Sequence, residues 1–388
     1  MKLQIALTGM ACLIVAMGFG RFALTPQLPH MISEGQITLT QASILAAVNF
    51  LGYLLGAIET IQAKRHLILR LKCGLLGSAV ILFLTTFIPS GITGFYVNLL
   101  LRFTAGVASA WTLVLISTWI QKELRDEHTL RTYAFAGPAV GIFMTGIIAI
   151  GVDYWHTSAA FNWFVYGLVA LTVSFIIYKS LPSSLPEILT DRHLHLDSRL
   201  YRLGISYFLY GLGYILPATF LSKLAKDQFP GSLLADTFWP LFGLAAIAGM
   251  LILSAQKNVK NSQRLLAGIF CVQGVGVLAC AMLPGVAGLL IGALFVGGSF
   301  MVVIQLTFRL GSELSPHHLQ AMSGLLTTGF AIGQLVGLLL SGLSTFLWPS
   351  MVPALLIAAV GSFLAALLVY PIIVPPIADV LQRENQYT

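Results

Sequence analysis

Two arginines stand where a charge is costly. Arg21 is the only charged side chain between Leu3 and Leu28, inside Gly18-Phe19-Gly20-Arg21-Phe22-Ala23-Leu24-Thr25-Pro26, and Arg102 is the only one in an apolar run from Ile92 to Trp119. A guanidinium keeps its charge and presents its N–H donors in a planar fork, so two at one depth in a low dielectric make a forked site for a carboxylate or phosphate. At about 1.5 Å per residue, Arg21 lies about eight residues and Arg102 about ten below the same end of their runs. No Asp or Glu falls deep in an apolar run: Glu59, Asp153, Asp227 and Asp236 all sit near run ends. A substrate anion is therefore expected to neutralise the pair. The other reading stays open, with Arg102 held by backbone carbonyls and Arg21 snorkelling outward.

Neutral groups inside the runs form a second tier. Asn49, Tyr53, Tyr207, Tyr214, Trp239 and Gln334 could line a cavity, and Asn49 and Tyr53, four apart, share one helix face. For each alone, helix-to-helix hydrogen bonding or a place in an aromatic belt competes with that role. Gly18 and Gly20 let a neighbouring backbone come close to Arg21, and Pro26 frees a carbonyl one turn earlier and can bend the helix. Gly329, Gly333 and Gly337, four apart, read as close helix packing and not as a phosphate loop.

The elements that hold these residues are membrane helices. Hydrophobic residues make up 57% of the 388 and charged ones 9%, against roughly 25% charged in soluble domains. The net charge of +7 is spread over short clusters between apolar runs, which marks topology and not a nucleic-acid surface. Twelve runs follow one another, near 4–29, 40–61, 71–90, 92–119, 131–151, 159–178, 203–222, 234–254, 265–282, 286–308, 320–341 and 350–373. All are long enough to span as helices, and none shows the alternation of a membrane barrel. The expected fold is an all-α membrane protein of twelve transmembrane helices in two six-helix bundles.

The connections after the even-numbered runs hold fifteen Lys and Arg, among them Lys64, Arg70, Lys122, Arg192, Lys257 and Arg309, against only Lys223 and Lys226 after the odd-numbered ones. The even set and both termini are therefore expected on the cytoplasmic side of a bacterial inner membrane. The first run continues past any signal-peptide cleavage point, and cleavage would remove Arg21. The expected division is a first bundle over 1–178, a cytoplasmic linker over 179–202, a second bundle over 203–375 and a tail over 376–388. The linker holds Pro182, Pro186, His193 and His195, and the two His have no third ligand in view.

Short matches relate the two halves. Gly18-Phe19-Gly20-Arg21 has its counterpart in Gly211-Leu212-Gly213-Tyr214, and Gly137-Pro138-Ala139-Val140-Gly141 in Gly329-Phe330-Ala331-Ile332-Gly333. Over nearly its full length the chain resembles the major facilitator superfamily, and its Gly-Phe-Gly-Arg-Phe opening is similar to the YbfB/YjiJ-type subgroup. Arg102, Gly106, Ser109 and Ala110 resemble the family's fourth-helix Arg-x-x-x-Gly motif, with Asn98 and Ala105 standing where Leu and Gln are frequent. Gly137-Pro138 with Gly141 resembles the fifth-helix motif associated with exchangers. The loop-two motif has decayed: Gly56, Lys64 and Arg65 fit it, whereas Thr60, Ile61 and Ala63 replace its Asp, Arg and Gly. The resemblance implies that the first and fourth helices line one cavity wall, that the second-tier helices face or flank the centre, and that the site lies between the halves near the midplane.

Cys12, Cys73, Cys271 and Cys280 all lie in apolar runs without C-x-x-C spacing, so neither a metal site nor a disulfide framework is expected. Nucleotide-binding, hydrolase and zinc motifs are absent from the sequence, and no cofactor is expected. The sequence reads as a non-enzymatic secondary transporter, monomeric, that moves a small anionic organic solute such as a carboxylate metabolite, an amino-acid-like compound or a carboxylate siderophore. Gly137-Pro138 keeps a drug-type exporter as an alternative. A membrane sensor is a second, but it is expected to carry an added domain or long tail, and only about fifteen residues follow the last run.

Overall fold

A computed structural model of the chain describes residues 1–63, 65–155, 157–185, 198–229, 232–256, 261–316, 318–348 and 350–373. The central part of the linker with its two histidines, Lys64, Lys257 and the expected tail lie outside the described residues. Among those described there is no strand.

The helices are α1 (Lys2–Leu13), α2 (Leu24–Ser33), α3 (Leu39–Gln62), α4 (Leu67–Thr85), α5 (Ile92–Glu123), α6 (His128–Phe135), α7 (Gly137–Tyr154), α8 (Ala159–Ile177), α9 (Ser198–Gln228), α10 (Leu233–Ala255), α11 (Ser262–Met282), α12 (Gly285–Leu314), α13 (Leu319–Leu347) and α14 (Val352–Val369). Eleven segments are long and apolar enough to cross a membrane, with α1 and α2 counted as one and α6 and α7 as one. Within α3, Ile44–Thr60 is a shorter apolar stretch. The twelve expected runs thus all appear as helices.

The first crossing is broken. Between α1 and α2 lies a π-helical turn, Ile14–Phe19, in which the Gly20 N–H donates to the carbonyl of Val15 at 2.8 Å and the Phe22 N–H to that of Met17 at 3.0 Å. Such single turns inside helices are frequent at functional sites, and here Arg21 follows closely. A Cβ on Gly20 would stand 2.5 Å from the carbonyl oxygen of Ala16, so a side chain does not fit. Pro26 does not cause the bend. It lies in the first turn of α2, where a missing N–H costs nothing, and the Phe22 carbonyl accepts from Thr25 at 3.2 Å. The crossing also runs on through Pro29 to Ser33, about four residues past the expected end. Arg21 is correspondingly deeper, twelve residues from that end.

Close backbone crossings set the packing around this segment. A Cβ on Gly18 would lie 2.5 Å from the Gly141 Cα and the reverse holds, so α7 meets the π-turn with no side chain between them. Gly137 packs in the same way on the Met10 carbonyl, and Pro138 occupies the second position of α7. Gly106 presses on the Asn49 carbonyl, Gly333 on that of Phe208, and Gly213 on the Ser362 hydroxyl. Gly329 is different: its nearest neighbour, the Gly204 carbonyl, is 3.5 Å away, an ordinary contact, so close packing does not require glycine there. A leucine at Gly141 must push α7 off the π-turn. Gly141→Leu is expected to cost about 1–3 kcal/mol or more and to lower the melting point of the purified protein, whereas Gly329→Ala should leave it near wild type.

The ends of the assembly differ. At the basic end, where α1 begins, Thr132 Oγ1 of α6 accepts from Gln305 Nε2 of α12 at 3.3 Å, and Phe135 stacks on Phe308 at 6.0 Å. At the opposite end a cavity of about 1480 Å³ opens between α2, α3, α9, α13 and α14.

Candidate functional site

Arg21 points into the space between the helices that precede the linker and those that follow it. It is 4% exposed. One terminal nitrogen, Nη2, donates to Gln334 Oε1 of α13, sixteen residues into a helix of 29. The guanidinium lies 3.7 Å from the centroid of the Tyr53 ring, 4.6 Å from Phe50 and 5.6 Å from Phe22. Aromatic faces at these distances attract a cation, by about 2 kcal/mol or more where desolvated. They do not supply hydrogen bonds. Nε and Nη1 of Arg21 meet no acceptor in good hydrogen-bond geometry, the Tyr53 hydroxyl lies against the guanidinium without a well-formed bond, and the Tyr214 hydroxyl and Gln334 Nε2 are unpaired. Among the described residues no Asp or Glu is buried. Glu59 pairs with Arg70 at 2.6 Å, Asp236 with Lys226 at 3.0 Å and Glu313 with Arg309 at 2.8 Å, all at helix ends.

A buried cation surrounded by unused donors and no carboxylate has the hydrogen-bonding capacity to hold an anion, because desolvated groups left unpaired cost far more than paired ones. A small cavity of about 30 Å³ adjoins Arg21, lined also by Asn49, Phe50, Ile215 and Trp239. Thr25, Leu28, Ala46 and Thr219 line both this cavity and the large one at the opposite end, so the two adjoin across these four residues.

The wall across from Arg21 is aromatic. Tyr214 stacks on Phe300 at 4.3 Å, Tyr207 on Phe330 at 4.9 Å, Tyr210 on both Tyr207 and Phe330, and Trp239 on Phe242 at 5.7 Å with its indole N–H unpaired. Phe22 meets Phe300 edge to face at 5.5 Å and joins the two walls. Sequence reasoning named Tyr207, Tyr214 and Trp239 but missed Tyr210, Phe242, Phe300 and Phe330. The spacing of Tyr207, Tyr210 and Tyr214, three and then four residues, puts all three on one face of α9 and was the readable signal.

Arg102 does not join this site. It shares Arg21's approximate depth but faces another way, donating to Thr85 of α4 at 2.6 Å and stacking 4.7 Å from the Trp163 ring of α8. Among the described residues the two guanidiniums share no hydrogen-bond or ring partner, so in this conformation one arginine is central and the other sits in the wall, apart from the two-armed clamp expected from depth. Depth followed from residue counting along each helix, whereas the direction of the side chain is set by helix rotation, which the count does not fix. Asn49 is likewise a packing group in part: its side-chain amide donates to the Arg102 carbonyl at 3.2 Å and ties α3 to α5.

The family model that matches the chain is described as "Uncharacterised MFS-type transporter YbfB" and covers residues 13–370. The chain belongs to this family. A comparison with curated proteins finds no match. The family and the apolar helices make it a multi-pass membrane transporter of the major facilitator fold. In this transporter the carboxylate beside the decayed loop-two motif is paired locally. Among the described residues Glu59 at the end of α3 pairs with Arg70 of the neighbouring α4, within one hairpin. The α6–α12 contact, Thr132 with Gln305 and Phe135 with Phe308, is one junction between the two groups of helices at the basic end, where α6 also packs on α10.

Proposed function

We propose that this transporter moves a small organic anion with an apolar body by alternating access, and that Arg21 holds the anion. The observation that carries the reading is the buried Arg21 guanidinium, with two nitrogens that meet no acceptor and the Tyr53 and Tyr214 hydroxyls near it, beside a small cavity that adjoins the large one. A carboxylate can take the free edge of the fork while an apolar or aromatic portion lies against the Tyr214–Phe300 wall. Carboxylate metabolites, amino-acid-like compounds and carboxylate siderophores share this chemistry.

In this reading the moving bodies are 1–178 and 203–375, joined by the linker 179–202, and the chain acts as a monomer. With the basic end in the cytoplasm of a bacterial cell, the conformation described is closed inward and open outward. The Arg21–Gln334 bond spans the two bodies at the depth of the site, so an anion that displaces Gln334 couples binding to their rearrangement. A panel of carboxylates and amino acids screened by thermal shift tests the reading, since a ligand of the folded state raises its melting point by mass action. No stabilising carboxylate in the panel, with cationic or neutral ligands active instead, contradicts it.

Two further expectations arise here. A reporter active only outside the cytoplasm should stay silent after Arg192 and be active near Gly91 or Gly285; activity after Arg192 reverses the orientation. Coupling should not run through a buried carboxylate. Amide replacement of Glu59, Asp236 and Glu313 one at a time should leave a large fraction of uptake, and abolition by one of them with folding and binding intact contradicts the placement.

A further inference from the structure

A second buried cation is enclosed by α4, α5 and α8. Arg102 is fully buried, and its Nη2 donates to Thr85 Oγ1. That accounts for one of its three nitrogens. Nε and Nη1 have no partner, and the adjoining indole N–H of Trp163 has none either. Thr85 supplies no negative charge, and its own hydroxyl is given to the Ile81 carbonyl at 2.8 Å. No Asp or Glu pairs with Arg102 among the described residues. Thr85 and Trp163, which touch the guanidinium, also line a cavity of about 20 Å³ that extends past Asn98 to Gln36, Pro89 and Ser90 in the connections at the opposite end, with Arg102 itself just behind its wall. A volume of that size takes one water-sized particle and excludes an organic solute. Water would satisfy the open donors but leave the charge uncompensated in a low dielectric, whereas a monatomic anion does both.

We propose that Arg102 binds a halide-sized inorganic anion in the wall formed by α4, α5 and α8, separate from the central cavity and entered from the opposite end. Among the described residues the hydrogen-bond and ring partners of the guanidinium are Thr85 of α4 and Trp163 of α8, and its backbone carbonyl is held by α3, so the ion stays with one group of helices. It is a resident counter-charge and not cargo.

The test measures the melting point of purified full-length protein in sodium chloride or sodium bromide against sodium gluconate at equal ionic strength. The wild type should be stabilised saturably by either halide. Arg102→Gln should lose the dependence. If that variant does not fold, Arg102→Lys decides, because it keeps the charge but loses the fork and should weaken the halide midpoint by about tenfold, as expected for losing a charged hydrogen bond. Arg21→Gln should keep wild-type halide dependence. Absence of a halide effect in the wild type, an unchanged midpoint in Arg102→Lys, or loss of the effect in Arg21→Gln overturns the proposal, the last by moving the ion to the central cavity.

Discussion

Replacing Arg21 by Gln is expected to weaken substrate affinity by roughly thirty-fold or more, the consequence of the about 2–5 kcal/mol that loss of a desolvated charge partner costs. Arg21→Lys should fall between Gln and wild type. The ammonium keeps the charge, but it cannot present two parallel donors to a carboxylate or lie flat on the Tyr53 ring 3.7 Å away. Arg102→Gln is expected to change the same affinity little, because its guanidinium contacts Thr85 and Trp163, neither of which lines the central cavity, and the bond from Asn49 goes to its backbone carbonyl, which the replacement keeps. The double variant should therefore equal the sum of the singles, as separated sites without shared partners do. Affinity measured by isothermal titration on folded protein checks all four; a tenfold loss in Arg102→Gln would return that residue to the substrate.

Locking the basic end should abolish transport altogether. Thr132 and Gln305 are in hydrogen-bond contact across α6 and α12, so Thr132→Cys with Gln305→Cys, in a background with Cys12, Cys73, Cys271 and Cys280 replaced by Ser or Ala, places two thiols at that closure. A short bis-thiol linker should reduce uptake into proteoliposomes to background, and a linker cleaved by reductant should allow recovery on its cleavage. Substrate binding from the opposite end should survive the lock, because the large cavity is open there. Undiminished uptake in a fully cross-linked sample would mean that α6 and α12 do not separate during transport.

Much of the fold was legible in the sequence because a bilayer demands long apolar helices, and the twelve runs are separated by polar turns that cannot enter it. The interruption at Ile14–Phe19 was not legible. A π-turn adds one residue to a helix without altering its composition, and Gly18 and Gly20 announced close approach without saying which backbone would arrive. At the site, Arg21 stood out by being a lone charge, and Tyr53, Tyr214 and Gln334 by being polar groups in apolar runs. Phe300 and Phe330 did not, since a phenylalanine in a membrane helix looks the same whether it faces lipid, a neighbour or a cavity. The partnership of Arg21 with Arg102 failed for a related reason: two residues at one depth can face in different directions, and only the packing of α4 and α8 around Arg102 decides which.

The central claim is that Arg21 is the group on which the anion lands. The most direct measurement is the melting point of wild type, Arg21→Gln and Arg102→Gln across a concentration series of whichever carboxylate in the panel stabilises the wild type. Stabilisation that is retained in Arg102→Gln and lost or shifted to roughly thirty-fold higher concentration in Arg21→Gln is the predicted result. Equal stabilisation of wild type and Arg21→Gln at every concentration would contradict it.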